Sequence, residues 1–173
     1  MRFMIIVGFA FILVQQALAY GQGWRLEAKQ TSIDQRGSAV GDYSYASYSL
    51  STTDPTKTGI SFSCSDRFGL KLTLSLQPEA EGVLQPRGNV QMETRRTKFE
   101  IEGRKSERVA WTFVRELRLL QTRQQVTAKK FYNAAVTKKS FEIKEPFGPM
   151  HTVSFPPIDD SFKDFARACG LMG

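Results

Sequence analysis

Leu70, Leu72, Leu74 and Leu76 alternate with Lys71, Thr73, Ser75 and Gln77. Successive side chains of a strand point to opposite faces, so this alternation predicts a half-buried strand. Ile60, Phe62 and Cys64 alternate with Ser61 and Ser63 just upstream, and the loop Ser65-Asp66-Arg67-Phe68-Gly69 predicts a hairpin joining the two. Trp24, Leu26 and Ala28 give a first short strand by the same pattern. The Tyr43–Leu50 stretch has strong β propensity and ends in a turn at Asp54-Pro55. Residues 31–42, with Asp34, Gly37 and Gly41, predict a loop, and Pro78 to Gly88 a turn-rich linker. Val90, Met92, Thr94, Phe99 and Ile101 place one long strand or a second hairpin over 89–103. Residues 109–120 fit two periods, because Val109, Trp111 and Phe113 alternate while Phe113, Leu117 and Leu120 suit a helical stripe; the strand reading is preferred.

The period changes further along. Ala128, Phe131, Tyr132 and Ala135 recur at helical spacing, with Lys129, Lys130 and Asn133 opposite, which predicts an amphipathic helix over roughly 125–137. Phe141 and Ile143 predict a strand, Glu145-Pro146-Phe147-Gly148-Pro149 turns the chain, and Val153 with Phe155 bring it back. Phe162, Phe165, Ala166 and Cys169 then fall on one face of a last helix, with Asp159 or Asp160 to cap its start and Gly170 to end it. The predicted fold is mainly β (α+β): an antiparallel sheet or sandwich with two amphipathic helices in the C-terminal half.

The N-terminus adds a compartment. Met1-Arg2 precedes a continuous apolar run from Phe3 to Val14, which polar Gln15 and Gln16 end, and Ala17-Leu18-Ala19 offers a cleavage site between Ala19 and Tyr20. This is the layout of a secretory signal peptide, and the run is too short for the roughly 20 apolar residues of a spanning helix. Residues 1–19 are thus expected to be removed, leaving 20–173 as a single β-rich domain with no membrane span, periplasmic or secreted.

In such a compartment the two cysteines matter. Cys64 lies on the apolar face of its strand and Cys169 on the apolar face of its helix. Two core-facing thiols in an exported chain are expected to pair, and a crosslink between such distant positions stabilises by about 4 to 5 kcal/mol in chain-entropy terms. A redox pair usually has closer spacing, and a metal site wants more ligands than two thiols and one histidine supply.

Composition limits the chemistry. Hydrophobic residues make up 41% and aromatics 12%, and the formal charge is +7, of which Arg2 leaves with the leader. A basic exported protein draws anionic partners such as surface polysaccharide, lipid head groups or acidic protein, and does not meet intracellular nucleic acid. Arg95, Arg96, Lys98, Arg104, Lys105 and Arg108 are the candidate anion-binding residues, because neighbouring strands would let them converge and arginine holds carboxylate or phosphate in a bidentate fork. The single histidine, His151, is read as an ordinary polar residue on a strand. No nucleophile elbow, phosphate loop, nucleotide fingerprint or calcium loop is present, so no catalytic residue, metal or cofactor is expected. Carboxylate pairs that could hydrolyse glycans are Glu79 with Glu81, Glu100 with Glu102, and Asp159 with Asp160, each with a simpler role as linker, solvent face or helix cap.

The order of features resembles a known kind of protein. The tryptophan strand, Ile60-Ser61-Phe62-Ser63-Cys64, the leucine alternation, Phe131-Tyr132-Asn133-Ala134-Ala135, Phe141-Glu142-Ile143 and Phe165-Ala166-Arg167-Ala168-Cys169-Gly170 are similar to small periplasmic proteins of proteobacteria. These include the type VI secretion accessory TagO and, more distantly, the invasion-associated locus B proteins. The resemblance covers most of residues 60–170 and departs at 31–50. It implies a fold framed by a strand cysteine and a C-terminal helix cysteine, and a non-enzymatic accessory or envelope-binding role. The expected function is therefore an exported binding or accessory protein of the cell envelope, whose basic surface meets an anionic or protein partner. The alternatives are a small secreted glycan hydrolase and an inhibitor of a secreted enzyme, which would make contact through loops 31–42 and 78–88.

Overall fold

In a computed structural model, which describes residues 23–33, 43–54, 58–65, 68–76 and 91–171, the strands join one antiparallel sheet. In chain order they are β1 (Trp24–Ile33), β2 (Tyr43–Thr52), β3 (Gly59–Ser65), β4 (Lys71–Ser75), β5 (Met92–Ile101), β6 (Glu107–Val114), β7 (Leu119–Thr122), β8 (Phe141–Lys144) and β9 (Met150–Val153). Helix α1 (Gln125–Val136) follows β7, and α2 (Asp160–Ala168) follows β9. The sheet order is β1-β2-β3-β4-β7-β6-β5-β8-β9. Strands β1 to β4 form a meander, β5 starts three places beyond β4, and β6 and β7 fill the gap by folding back. Helix α1 then carries the chain across one face to β8, on the far side of β5.

Alternation decides which face is buried. Leu50, Phe62, Leu72, Leu120, Phe113, Phe99 and Ile143 all lie on the inner face and are almost wholly buried. The sheet curls around α1, whose Phe131 lies 4.9, 5.8 and 4.7 Å from the rings of Phe99, Trp111 and Phe141. Ala128, Ala134 and Ala135 on the same helix are small enough to let its backbone approach the sheet. Curling also brings the two sheet edges together: Trp24 of β1 stacks near Phe155, just after β9, at 6.5 Å. One continuous core results, so the fold is a single curled sheet and not a sandwich.

Cys64 on the inner face of β3 is joined to Cys169 at the end of α2, with Cα atoms 6.0 Å apart. Asp159 is the helix N-cap, its Oδ1 accepting from Phe162 N at 3.0 Å. Its Oδ2 accepts from the first N–H of β1, Trp24 N, at 2.9 Å, so one carboxylate ties together residues 135 positions apart. Gly170 closes the helix at φ +61°, the left-handed region glycine enters without a Cβ penalty.

Two expectations need correction. The loop predicted for 31–42 begins later, because Thr31, Ser32 and Ile33 continue β1 opposite Tyr45, Ser44 and Tyr43; residues 34–42 lie outside the described residues. The backbone ladder with the tyrosine strand runs on to Ile33, a long-range pairing that local turn signals did not reveal. Residues 109–120 are a hairpin and not one strand: Arg115–Arg118 turn the chain, with Arg118 at φ +48°, and Phe113 pairs with Leu120. The helical spacing of Phe113, Leu117 and Leu120 came from counting across that turn. The 89–103 alternatives resolve to one strand from Met92 to Ile101.

Candidate functional site

Alternation along β5 separates the six candidate cations. Arg96 and Lys98 project from the outer face, opposite Ala110 and Arg108 of β6, so Lys98 and Arg108 stand side by side. Arg104 and Lys105 occupy the β5–β6 turn, which closes where Arg104 N donates to Ile101 O at 2.8 Å. All five are exposed, and among the described residues none lies within ion-pair distance of a carboxylate. Like charges within a Debye length of about 8 to 10 Å reinforce one another's field. Glu102 beside the turn is already committed. The Ser140 N–H and hydroxyl both donate to it, which with the Lys139 charge holds its carboxyl below the usual range.

Arg95, the sixth, points the other way and takes part in a different cluster. It hydrogen-bonds Glu93, and its guanidinium lies 4.9 Å from the ring of Phe147; Arg115 lies 4.9 Å from the same ring and donates to Glu93 at 3.4 Å. Glu93 is held below the usual carboxylate range, mainly by its hydrogen bond from Arg95. Phe147 sits in the β8–β9 turn at φ +63° and is 75% exposed, so the two guanidinium planes supply most of its contact.

The same turn holds a buried carboxylate that pattern reading did not single out. Glu145 is 5% exposed; it accepts a bidentate pair from Arg118, Nε to Oε1 at 2.8 Å and Nη2 to Oε2 at 2.7 Å, and His151 Nε2 lies 2.8 Å from Oε2. Burial alone would push this carboxyl up, but the hydrogen bonds from Arg118 and His151 and their charges outweigh it and hold it down. His151 is therefore an inward partner in a three-residue clamp, not the ordinary strand residue expected. Both Glu145 oxygens accept from Arg118, so the arrangement pins the β6–β7 turn to the β8–β9 turn. Separations of 27 and 6 residues carry no periodic signal that could have announced it.

Of the carboxylate pairs considered for hydrolysis, Glu100 with Glu102 and Asp159 with Asp160 fall within the described residues. Glu100 lies exposed on the outer face opposite Glu142, while Glu102 bonds Ser140. Asp159 caps α2, and Asp160 pairs with Lys163 at 2.9 Å. Glu79, Glu81, residues 78–88, the leader and the Ala19–Tyr20 site lie outside the described residues. Among the described residues no group of histidine, cysteine and acidic side chains is placed to hold a metal, and no helix is long and apolar enough to cross a membrane. No known family, curated protein sequence or solved structure matches the chain.

Proposed function

We propose that this chain is an exported, non-enzymatic binding or accessory protein of the cell envelope, periplasmic or secreted, whose outer β5–β6 face docks an anionic envelope component or acidic protein. The observation that carries the reading is the strip of five exposed cations, Arg96, Lys98, Arg104, Lys105 and Arg108, none of them neutralised among the described residues. Regular strand pairing fixes the spacing of Arg96, Lys98 and Arg108, so little side-chain placement is left to chance when a partner arrives. The leader-like N-terminus and the Cys64–Cys169 disulfide, which fits an oxidising compartment, support export. The likeness to small periplasmic accessory proteins points the same way.

The test is binding of the purified chain to peptidoglycan, lipopolysaccharide and envelope extracts at low and high salt. Wild-type protein is expected to bind at about 0.05 M salt and to release as ionic strength approaches about 0.3 M, where the field is screened within a few ångströms. The triple variant R96Q/K98Q/R108Q should bind roughly tenfold more weakly with its melting temperature unchanged. Salt-independent binding, or a triple variant that binds like wild type, would overturn the reading.

A further inference from the structure

We propose that a groove on the outer face of β1 to β4 is a binding site for an acidic saccharide. Its volume of 320 Å³ lies at the lower end of the range, about 300 to 1,000 Å³, typical of small-molecule sites. The floor is hydroxylic: Ser47 and Ser49 come from β2, Ser63 and Ser65 from β3. Each hydroxyl offers one donor and two acceptor positions, the same mixed capacity as a sugar hydroxyl. Ser47 spends one donor on Lys29 O at 3.2 Å and Ser49 shares one hydrogen with Ser61 at 3.2 Å, which leaves acceptor capacity facing outward. The rungs of β2, β3 and β4 beneath are paired through the backbone, so the ligand is read by side chains and not by strand addition.

One wall is aromatic. Tyr45 and Phe68 meet edge to face with centroids 6.0 Å apart, and Phe68 is 42% exposed, a ring surface for the C–H face of a pyranose. Lys71 Nζ sits over one face of the Phe68 ring, 4.7 Å from its centroid, which fixes a cation on the aromatic wall. Lys29 faces the groove from β1, and Arg123 lies one register step beyond the Leu72–Thr122 pair, next to Lys71. Burial, followed by the Arg123 charge, pushes the Lys71 ammonium down, the condition an incoming carboxylate would relieve. Among the described lining residues these cations face one carboxylate, Glu27, suited to accept from sugar hydroxyls. Among the described residues neither Lys29, Lys71 nor Arg123 makes an ion pair. Hydroxyls, an aromatic face and a surplus of positive charge together select a sugar that carries a carboxylate.

The site is separate from the β5–β6 strip, so the two readings stand or fall independently. The test is calorimetric titration of the full chain with digalacturonate, with uncharged digalactose and with tetraglutamate. Digalacturonate is expected to bind, with digalactose and tetraglutamate each at least roughly tenfold weaker. Tyr45→Ala and Lys71→Met should each lower digalacturonate affinity roughly tenfold, with the circular dichroism spectrum and melting temperature retained. R96Q/K98Q/R108Q should bind digalacturonate like wild type. Absence of digalacturonate binding, undiminished binding by both groove variants, or equal binding of tetraglutamate would overturn the proposal.

Discussion

The sheet around β1 to β3 holds α2 through three buried residues, Phe162, Phe165 and Ala166, whereas α1 buries six, its Phe131 lodged among rings of β5, β6 and β8. The helices are finished differently in consequence. Helix α1 has no side-chain N-cap and no acid in its first turn; the burial of Phe131 among sheet aromatics and of Tyr132 between Phe62 of β3 and Phe162 of α2 supplies its stability. Helix α2 buries less, and its ends are secured instead: Asp159 caps its start and holds β1, Gly170 closes its last turn, and Cys169 is bonded to β3. The turns at the far end are locked by the Arg118–Glu145–His151 clamp, with no covalent link. A helix with a narrow buried stripe is thus fixed by its termini, and one lodged in a curled sheet by its middle.

Breaking the crosslink should have the largest effect. Cys64→Ser with Cys169→Ser removes a closure spanning 105 residues and is expected to cost about 4 to 5 kcal/mol in chain-entropy terms, read as a lower denaturation midpoint. Phe131→Ala attacks the other half where it is densest. A wholly buried ring touching three sheet aromatics should cost about 3 to 5 kcal/mol in the same measurement, with the disulfide intact. The clamp should contribute less. Glu145→Gln leaves the Arg118 fork half unsatisfied and is expected to lose about 1 to 3 kcal/mol at neutral pH.

That last effect has a pH sign. The folded Glu145 carboxyl is held below its unfolded value, so its contribution is fully present above the ordinary carboxylate range, about 4.3. It is lost as pH falls through the lowered folded value. The stability gap between wild type and Glu145→Gln should therefore narrow on acidification in pH-resolved unfolding; a gap that widens would remove the clamp from the picture.

Much of the scaffold was legible because it rests on local periods. Alternation located the cysteine and leucine strands and their hairpin, helical spacing located α1 and α2, and the Asp159 and Gly170 ends followed from capping chemistry. The disulfide followed from two inward-facing cysteines. What stayed hidden depends on distance in sequence. The jump that sets β4 beside β7 leaves no trace in either strand, and the β6–β7 turn, lacking glycine and proline, reads as continuous apolar sequence. Of the six candidate cations, Lys98 and Arg108 stand opposite each other on β5 and β6, whereas Arg95 goes to the other face because its position on β5 has the opposite parity to Arg96 and Lys98. The Glu145 clamp was invisible because its members come from two turns, and the groove because its serines are unremarkable until β2 and β3 set them in register.

The division of the molecule into a covalently fixed half and a packed half is tested most directly by hydrogen exchange of the oxidised and the reduced protein. Reduction is expected to strip protection from α2 and the adjoining rungs of β1 and β3 by a larger factor than from α1, β5 and β6. An equal loss of protection in both halves would contradict it, because the disulfide would then act on the unfolded chain alone and not as the anchor of α2.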